Sequence, residues 1–245
     1  MKLARFLSLA GVTSRRKAED LIRQGLVQVN EEVVDRPEER VSPQDRIYVE
    51  GRQIFLPQNF LYVLLHKPGG VLTTVNDPYG RETVMGLLQA INTRLYPVGR
   101  LDRDATGALL LTNDGELAHR LQHPSYEVPK IYQVRVKGLP GKEELRRLRE
   151  GIQLEEGLTS PAKFELLRTE QKKREAHLKV ELHQGWKRQI KRMFQAVGCQ
   201  VLHLHRSHFA FLHLRGLPPG SYRYLSSQEV RDLGKMVKVT REGHN

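Results

Sequence analysis

Two carboxylates stand close together in the segment GRLDRDATGALLLTNDG, residues 99–115. Asp102 and Asp104 lie in its polar first half, and Arg100 and Arg103 stand on either side of Asp102. An ionised carboxylate in such a loop can act as a nucleophile or as a general base. The alternative is a turn aspartate that accepts hydrogen bonds from its own backbone, and Asp104 fits this alternative better. The segment is therefore a candidate catalytic loop, which an apolar strand follows.

The segment 163–215 concentrates the positive charge of the chain. It holds 12 Lys and Arg residues against 4 Asp and Glu residues, a surplus of 8 within a net charge of +12. We expect it to contact the backbone of RNA or DNA, with a solvated basic face as the alternative. It also contains six histidines, but no cysteine or acidic residue has the spacing of a metal site, so we predict no metal. These are His177, His183, His203, His205, His208 and His213.

Composition limits the class of protein. The chain has 245 residues, of which 39% are hydrophobic, which is enough for a core in one or two domains. The single cysteine excludes an internal disulfide, and no apolar run approaches the roughly 20 residues of a membrane span. Arg5 interrupts the first apolar stretch, so we expect no signal peptide. The sequence thus predicts a soluble, cytoplasmic protein with a polyanionic partner.

Residues 1–57 form a candidate small domain ahead of the catalytic segment. Apolar residues repeat at the helical spacing from 3 to 10, and Ser14 can cap a second helix that ends near Gly25. Valines then alternate with polar residues between 27 and 34, which predicts two short strands. A helix-turn-helix that reads DNA is the alternative, but the strand pair that follows immediately disfavours it.

Short strands and helices follow one another from 61 to 234 without strict alternation. This pattern predicts an α+β fold, a catalytic domain built on a mostly antiparallel mixed sheet with flanking helices. Residues 235–245 are polar and basic and predict a C-terminal tail. The predicted strands cover residues 61–65, 108–111, 132–136, 176–182 and 201–204, and the predicted helices cover residues 116–122, 142–149 and 189–197.

The run GVTSRRKAEDLIRQGLVQVN, residues 11–30, resembles the S4 RNA-binding module. In that module a Ser-Arg pair opens a helix, and a glycine and alternating valines follow. The chain departs from the pattern at Glu31 and Glu32, where a turn glycine is usual. Cations at a helix N-terminus interact unfavourably with the helix dipole, so the presence of Arg15 and Arg16 there needs another explanation. Binding of a phosphate group is one such explanation. The RNA-contacting residues that we expect in this domain are Arg5, Arg15, Arg16 and Arg23.

The candidate catalytic loop resembles the signature of pseudouridine synthases of the RsuA/RluB type, which act on ribosomal RNA. Three further segments resemble motifs of that family in the family's order, and the S4-like module precedes them. Ala108, where leucine is commoner, and the pair Trp186-Lys187 depart from the pattern without touching a proposed catalytic position. The resembling segments are LHKPGGVLTT (65–74), VPKIYQVRV (128–136) and GWKRQIKRMF (185–194).

The resemblance implies a pseudouridine synthase fold and three catalytic residues. The Asp of the Gly-Arg-Leu-Asp string is catalytic in the family, so Asp102 takes that role here. Tyr132 corresponds to the active-site tyrosine, which packs against the uracil and helps to remove the C5 proton. By motif order Lys191 pairs with the catalytic aspartate and keeps it ionised, with Arg188 and Arg192 as the alternatives.

The resemblance also implies how the target base is reached. A uridine inside an RNA stem must be flipped out of the helix, and Arg100 corresponds to a residue that fills the vacated stack. Lys67 and Pro68 would shape the floor of the pocket rather than react. The RNA-contacting residues that we expect around the site are Arg100, Arg103, Arg188 and Arg192.

The sequence therefore predicts an enzyme that isomerises a specific uridine to pseudouridine in ribosomal RNA, without a metal or other cofactor. Length and the S4-like start favour 23S rRNA, as free RNA or in the assembling large subunit. A 16S rRNA enzyme and a non-catalytic ribosome-assembly factor are the alternatives. We expect a monomer that binds neither DNA nor a membrane. Whether Asp102 attacks C1′, attacks C6 or abstracts the 2′ proton stays open.

Overall fold

The chain divides into two compact units of unequal size. The computed structural model describes residues 1–57 and 59–239. The first unit comprises Met1–Leu61 with the short segments Asn92–Arg94 and Asn113–Gly115, and the second comprises the remaining residues. Each unit has its own hydrophobic core.

Two helices and a four-stranded sheet make up the first unit. The helices α1 (Leu3–Leu9) and α2 (Arg15–Arg23) bury most of the apolar residues that their spacing predicted, while Ala10 and Leu21 are partly buried. The Ser14 hydroxyl accepts a hydrogen bond from the Lys17 amide at 3.3 Å, so the predicted cap of α2 is present. The strands β1 (Val27–Val29), β2 (Glu32–Val34), β3 (Ile47–Val49) and β4 (Arg52–Ile54) pair antiparallel in the order β2-β1-β3-β4.

The turn between β1 and β2 places two non-glycine residues in the left-handed region. Asn30 has a φ of 51° and Glu31 a φ of 76°, as a tight hairpin turn requires. The Asn30 side chain accepts from the Arg46 amide and donates to Asp45, both at 2.9 Å. Glu31 has an exposed ion pair with Arg46 at 3.1 Å, which adds little stability. The departure from the S4 pattern therefore keeps the turn but strains the backbone at Glu31.

A nine-stranded mixed sheet forms the centre of the second unit. Its strands are β5 (Tyr62–Lys67), β6 (Tyr96–Pro97), β7 (Thr106–Thr112), β8 (Lys130–Lys137), β11 (Lys163–Glu170), β12 (Glu175–Leu182), β13 (Gln200–Phe209), β14 (Leu212–His213) and β15 (Tyr222–Tyr224), while β9 (Gln153–Leu154) and β10 (Gly157–Leu158) pair separately. The main order is β11-β12-β8-β13-β7-β5-β15, and β13 with β7 is the parallel pair among antiparallel ones. The predicted mostly antiparallel mixed sheet is confirmed.

Helices of the second unit pack against this sheet. Leu117 and Leu233, from two of the helices, share a core cluster with Leu64 of β5. Phe194 from a third helix packs edge-to-face against Phe164 of β11, with ring centroids 5.8 Å apart. The helices of this unit are α3 (Gly115–Gln122), α4 (Lys142–Glu150), α5 (Gln189–Ala196) and α6 (Ser227–Met236).

At strand β8, one face of the sheet is buried and the other is exposed. Its even-numbered residues from Tyr132 to Val136 are buried, and its odd-numbered residues from Gln133 to Lys137 are exposed. Residues directly opposite each other on paired strands share a face. Tyr132 lies opposite Arg206 of β13, so both side chains are on the buried face.

The parallel contact between β13 and β7 depends on a glycine. Gly107 lies opposite Arg206 with a φ of 116°. A β-carbon at this position would overlap the carbonyl oxygen of Arg206. Beside it, the Thr106 hydroxyl lies 2.9 Å from Nδ1 of His205. Glycine therefore allows the two strands to approach closely next to the predicted catalytic loop.

The folded structure continues beyond residue 234, where the predicted tail was to begin. Helix α6 extends to Met236, and Val237 and Val239 are buried in the core cluster of the second unit. Residues 240–245 of the predicted tail lie outside the described residues. Within the described ranges, no helix combines the length and the apolar character that crossing a bilayer requires.

Glu31→Gly is expected to stabilise the first unit by about 1 kcal/mol, because glycine adopts positive φ without a β-carbon clash. Hydrogen exchange of the β1 and β2 amides in the full chain measures the change as slower exchange. Glu32→Gly, in the extended strand that follows, is the matched control and should speed exchange. Equal effects of the two substitutions would contradict the assignment of strain to Glu31.

Candidate active site

Lys67 anchors the loop that carries the two predicted carboxylates. Its side chain is completely buried, and Nζ donates to the carbonyl oxygens of Pro68 (3.0 Å), Arg103 (3.2 Å) and Ala105 (2.8 Å). Three acceptors use all three protons of an ammonium group. Burial lowers the pKa of Lys67 to about 8, although nearby carboxylates, first that of Asp104, oppose this shift. The ammonium form therefore persists at neutral pH and fixes the backbone of the loop.

Two further contacts join the loop to the segment after β5. The buried Thr73 hydroxyl donates to the Leu101 carbonyl at 2.8 Å and accepts from the Leu101 amide at 3.3 Å. The Gly70 amide donates to the Arg103 carbonyl at 2.8 Å, and Arg103 Nε donates back to the Gly70 carbonyl at 2.9 Å. The backbone is thus bonded on both sides of Asp102, which orients its side chain.

Lys191 lies between the two carboxylates. Its Nζ is 3.1 Å from an oxygen of Asp102 and 2.7 and 2.8 Å from the two oxygens of Asp104. The Asp102 side chain is 31% exposed and that of Asp104 is 74% exposed. The hydrogen bond from Lys191 lowers the pKa of Asp104 below its ordinary value. Asp104, which the sequence pattern indicated as a turn former, therefore shares the lysine with Asp102.

The first turn of α5 directs Lys191 towards this loop. Ile190 and Met193 are buried, which fixes the rotation of the helix about its own axis. The buried Gln189 accepts a hydrogen bond from the Trp186 amide at 3.0 Å through its side-chain oxygen. The start of the helix is therefore held in place, and Lys191 is presented from a fixed backbone.

A pocket of about 250 Å³ opens beside Asp102. Among the described residues, Asp102 is the one carboxylate that lines it. The nearly buried Tyr132 ring forms part of its wall. The volume lies below the roughly 300–1,000 Å³ typical of sites for drug-sized ligands, so it suits a single planar ring. The other apolar lining residues are Leu101, Ala105, Pro124, Leu182, Trp186, Ile190, Leu204 and Phe209.

A larger open groove of about 870 Å³ adjoins the pocket and shares Asp102 with it. Its lining is rich in cations, and Asp77, also in the lining, pairs with Arg81 at 2.6 Å. A polyanionic chain can therefore follow the groove while one ring occupies the pocket. The basic lining residues are Arg81, Arg100, Arg103, Lys187 and Arg188.

The arginines predicted to bind RNA around the site have different surroundings. Arg100 and Arg188 are exposed and line both the pocket and the groove, and Arg103 lines the groove. Arg192 instead donates to both carboxylate oxygens of Glu156 at 2.7 and 2.8 Å. This pairing ties α5 to the turn between β9 and β10, so the geometry supports a tethering role for Arg192 instead of phosphate contact.

The arginines predicted to bind RNA in the first unit are all exposed. Arg15 and Arg23 each lie near Glu19, at 4.0 and 3.9 Å. Within the described ranges, no carboxylate forms an ion pair with Arg5 or Arg16. Without a competing carboxylate, Arg5 and Arg16 remain available to a polyanionic partner.

Two cations that the sequence pattern did not reveal as site residues line the pocket, the buried Arg206 and the partly buried Lys130. Arg206 is 2% exposed, and Lys130 Nζ donates to the carbonyl oxygens of Val128 (3.0 Å) and His183 (3.3 Å). Burial, with a smaller contribution from Arg206, lowers the pKa of Lys130 to about 8. Arg206 lies two residues after the buried Leu204. Because alternate residues of a strand face the same side, this spacing was the sequence signal that the Arg206 side chain faces inward.

The histidines of the basic segment form no recognisable metal centre. His203 and His205 stack with ring centroids 6.4 Å apart, and His66 approaches His205 edge-on at 5.5 Å. In the part of the chain that the structure describes, no group of three or more His, Cys, Asp or Glu side chains is arranged to hold a metal ion.

Two family models match the chain. The model described as RNA pseudouridylate synthase matches residues 61–196, and the S4 domain model matches residues 1–47. The S4-like interpretation of the first unit is therefore confirmed, and the helix-turn-helix alternative is wrong.

Relatives match along nearly the whole chain. It is 47% identical over 232 residues to the ribosomal large subunit pseudouridine synthase B of Bacillus subtilis (strain 168), covering 95% of each chain. It is 41% identical over 239 residues to an uncharacterized RNA pseudouridine synthase of Aquifex aeolicus (strain VF5), covering 97% of this chain and 95% of that one. A crystal structure of a pseudouridylate synthase is similar with a TM-score of 0.68 and 30% identity, covering 95% of this chain and 99% of that one.

Lys67→Met is expected to lower the free energy of unfolding by about 2–3 kcal/mol, because it leaves buried carbonyl oxygens without donors. Urea denaturation followed by circular dichroism measures this loss. Lys137→Met, at an exposed position of β8, is the control and should change stability by less than about 0.5 kcal/mol. Equal stability of the two variants would refute the anchoring role of Lys67.

Proposed function

The chain belongs to the RNA pseudouridylate synthase family, and we propose from this premise that it isomerises a specific uridine of ribosomal RNA to pseudouridine. Large-subunit rRNA is the proposed substrate, because the Bacillus subtilis relative with that substrate in its name is similar along 95% of both chains. The observation that carries the proposal is the Asp102 carboxylate in a pocket for a single ring, next to a cationic groove.

Asp102 is the proposed catalytic residue. The reaction breaks the C1′–N1 bond and forms a C1′–C5 bond, while C5 loses a proton and N1 gains one. A carboxylate can assist by attacking C1′, by attacking C6 or by removing the 2′ proton. Each of these routes places it beside the uridine, where the pocket and the groove meet. The Lys191 ammonium, 3.1 Å away, can stabilise the ionised carboxylate in every case.

Tyr132 and the loop arginines have proposed supporting roles. The Tyr132 ring lines the pocket, so it can stack against the base, and its hydroxyl can assist removal of the C5 proton. Arg100 is exposed at the shared rim of the pocket and the groove. From there its planar guanidinium can occupy the space that a flipped base leaves in the RNA stack.

RNA binding is proposed to rest on charge in both units. Arg103 and Arg188 in the groove can hold phosphates on either side of the target nucleotide. Arg5, Arg15, Arg16 and Arg23 can hold a second part of the RNA through the S4 domain. We expect a monomer in the cytoplasm, where rRNA is assembled with ribosomal proteins.

Asp102→Ala is expected to abolish turnover and to change RNA affinity by less than about threefold, because it removes the reacting group alone. Tritium release from 5-tritiated uridine in large- and small-subunit rRNA transcripts measures turnover, since the C5 hydrogen must leave. Asp104→Asn is the matched control, because Asp104 is exposed and does not line the pocket. It should keep turnover within about tenfold of wild type.

Near-normal release by Asp102→Ala would exclude Asp102 as the catalytic residue. Release from the small-subunit transcript alone would redirect the substrate assignment to 16S rRNA. Tight binding without release from either transcript would favour the assembly-factor alternative or a ribonucleoprotein substrate.

Deletion of residues 1–55 is expected to weaken binding to large-subunit rRNA at least tenfold and to flatten its salt dependence, because cationic contacts are lost. Filter binding at several salt concentrations measures both effects. Circular dichroism of the remaining chain should retain a cooperative melting transition. Global unfolding of the truncated protein would contradict the proposed independence of the second unit.

A further inference from the structure

Arg206 places a charged donor without a partner inside the protein. Its Nε donates to the Ala108 carbonyl at 2.6 Å, and its guanidinium lies over the Phe209 ring, 5.4 Å from the centroid. These contacts fix the guanidinium in one orientation. Its Nη2 is fully buried and has no hydrogen-bond partner among the described residues. A buried guanidinium with so few acceptors is unfavourable and rare, which points to an acceptor supplied by a ligand where the group lines the pocket.

The position of Arg206 defines where that ligand lies. Arg206 lines the 250 Å³ pocket, opposite Tyr132 in the register of β13 and β8. Lys130, which lines the same pocket, has two of its three N–H groups bonded to backbone carbonyls. Both cations therefore form part of the pocket wall, as Asp102 and Tyr132 do.

This wall carries positive charge that the protein does not neutralise. Within residues 1–57 and 59–239, neither Arg206 nor Lys130 forms an ion pair with a carboxylate. Asp102, the one carboxylate described in the pocket lining, pairs with Lys191 instead. An acceptor or an anionic group on the ligand would satisfy both cations.

We propose that Arg206, supported by the charge of Lys130, binds a carbonyl oxygen of the target uracil and stabilises the base after it leaves the sugar. When the C1′–N1 bond breaks, its electron pair remains on the base, and the negative charge spreads over N1, O2 and O4. The Arg206 guanidinium donates to one of these oxygens where it lines the pocket, and the charge is dispersed again when the base rejoins through C5. This inference rests on the proposed function.

The same contact selects the base. Uracil presents only acceptors at O2 and O4, whereas cytosine presents an amino group in place of O4. An amino group directed at a guanidinium would place two donors face to face and leave the guanidinium without this acceptor. Arg206 is thus a specificity-determining residue as well as a catalytic one, if the contacted oxygen is O4.

Arg206→Gln is expected to lower kcat by about 100- to 1,000-fold, as removal of one preorganised donor does elsewhere. The dissociation constant for rRNA should change by less than about threefold, because phosphate contacts lie outside the pocket. Arg206→Lys should recover part of kcat, since it restores the charge. Arg149→Gln is the control: its guanidinium also donates to a backbone carbonyl, of Phe164, but does not line the pocket.

Substrates with sulfur in place of one oxygen test the contact directly. Once the target uridine is mapped, 2-thiouridine and 4-thiouridine are placed there in separate RNAs, because sulfur accepts hydrogen bonds weakly. Wild type should lose at least tenfold in kcat with one of them, and Arg206→Lys should lose less than threefold with that same RNA. A folding defect would slow Arg206→Gln and Arg206→Lys on every RNA. It could not produce a difference between the 2-thiouridine and the 4-thiouridine substrate.

Two results would overturn the inference while the proposed function survives. One is undiminished kcat in a folded Arg206→Gln protein, and the other is equal sensitivity to both thio substrates in wild type and Arg206→Lys. Absence of tritium release by wild type on every rRNA is a different outcome, because it counts against the proposed function itself.

Discussion

The buried ammonium group of Lys67 is the interaction on which the catalytic loop depends. A buried charge is tolerated only where hydrogen bonds replace its water shell, and here three backbone carbonyls do so. Two of them belong to Arg103 and Ala105, the neighbours of Asp104. The loop between Gly99 and Thr106 is polar, and these bonds replace the side-chain packing that holds a strand or helix in place. Burial of one lysine thereby determines the direction of the carboxylates.

The pocket has a polarised distribution of charge. Lys191 is shared between Asp102 and Asp104, so one cation faces two carboxylates. Arg206 and Lys130, which line the same pocket, are bonded to neutral carbonyls and have no carboxylate partner among the described residues. The pocket therefore combines a paired carboxylate with two cations that lack a counter-ion in the described part of the chain. Such an arrangement stabilises negative charge that develops on a bound ring.

Periodicity and motif order predicted the framework, and long-range contacts account for what they missed. The strand predicted at 132–136 extends over Lys130–Lys137, close to the prediction. The strand predicted at 201–204 runs from Gln200 to Phe209. The prediction ended early because polar residues interrupt the apolar pattern after Leu204. Burial of Arg206 depends on the Ala108 carbonyl, 98 residues earlier, and the position of Asp104 depends on Lys191, 87 residues later. Neighbouring residues carry no trace of such contacts.

The close approach of β13 to β7 at Gly107 also determines the order in which the enzyme matures. The contact joins parts of the sheet that are translated far apart, and pairing of distant strands is slow compared with formation of local structure. The S4 domain model matches residues 1–47 alone, so this domain can fold while synthesis continues. A nascent chain therefore acquires its S4 domain well before it acquires a catalytic pocket.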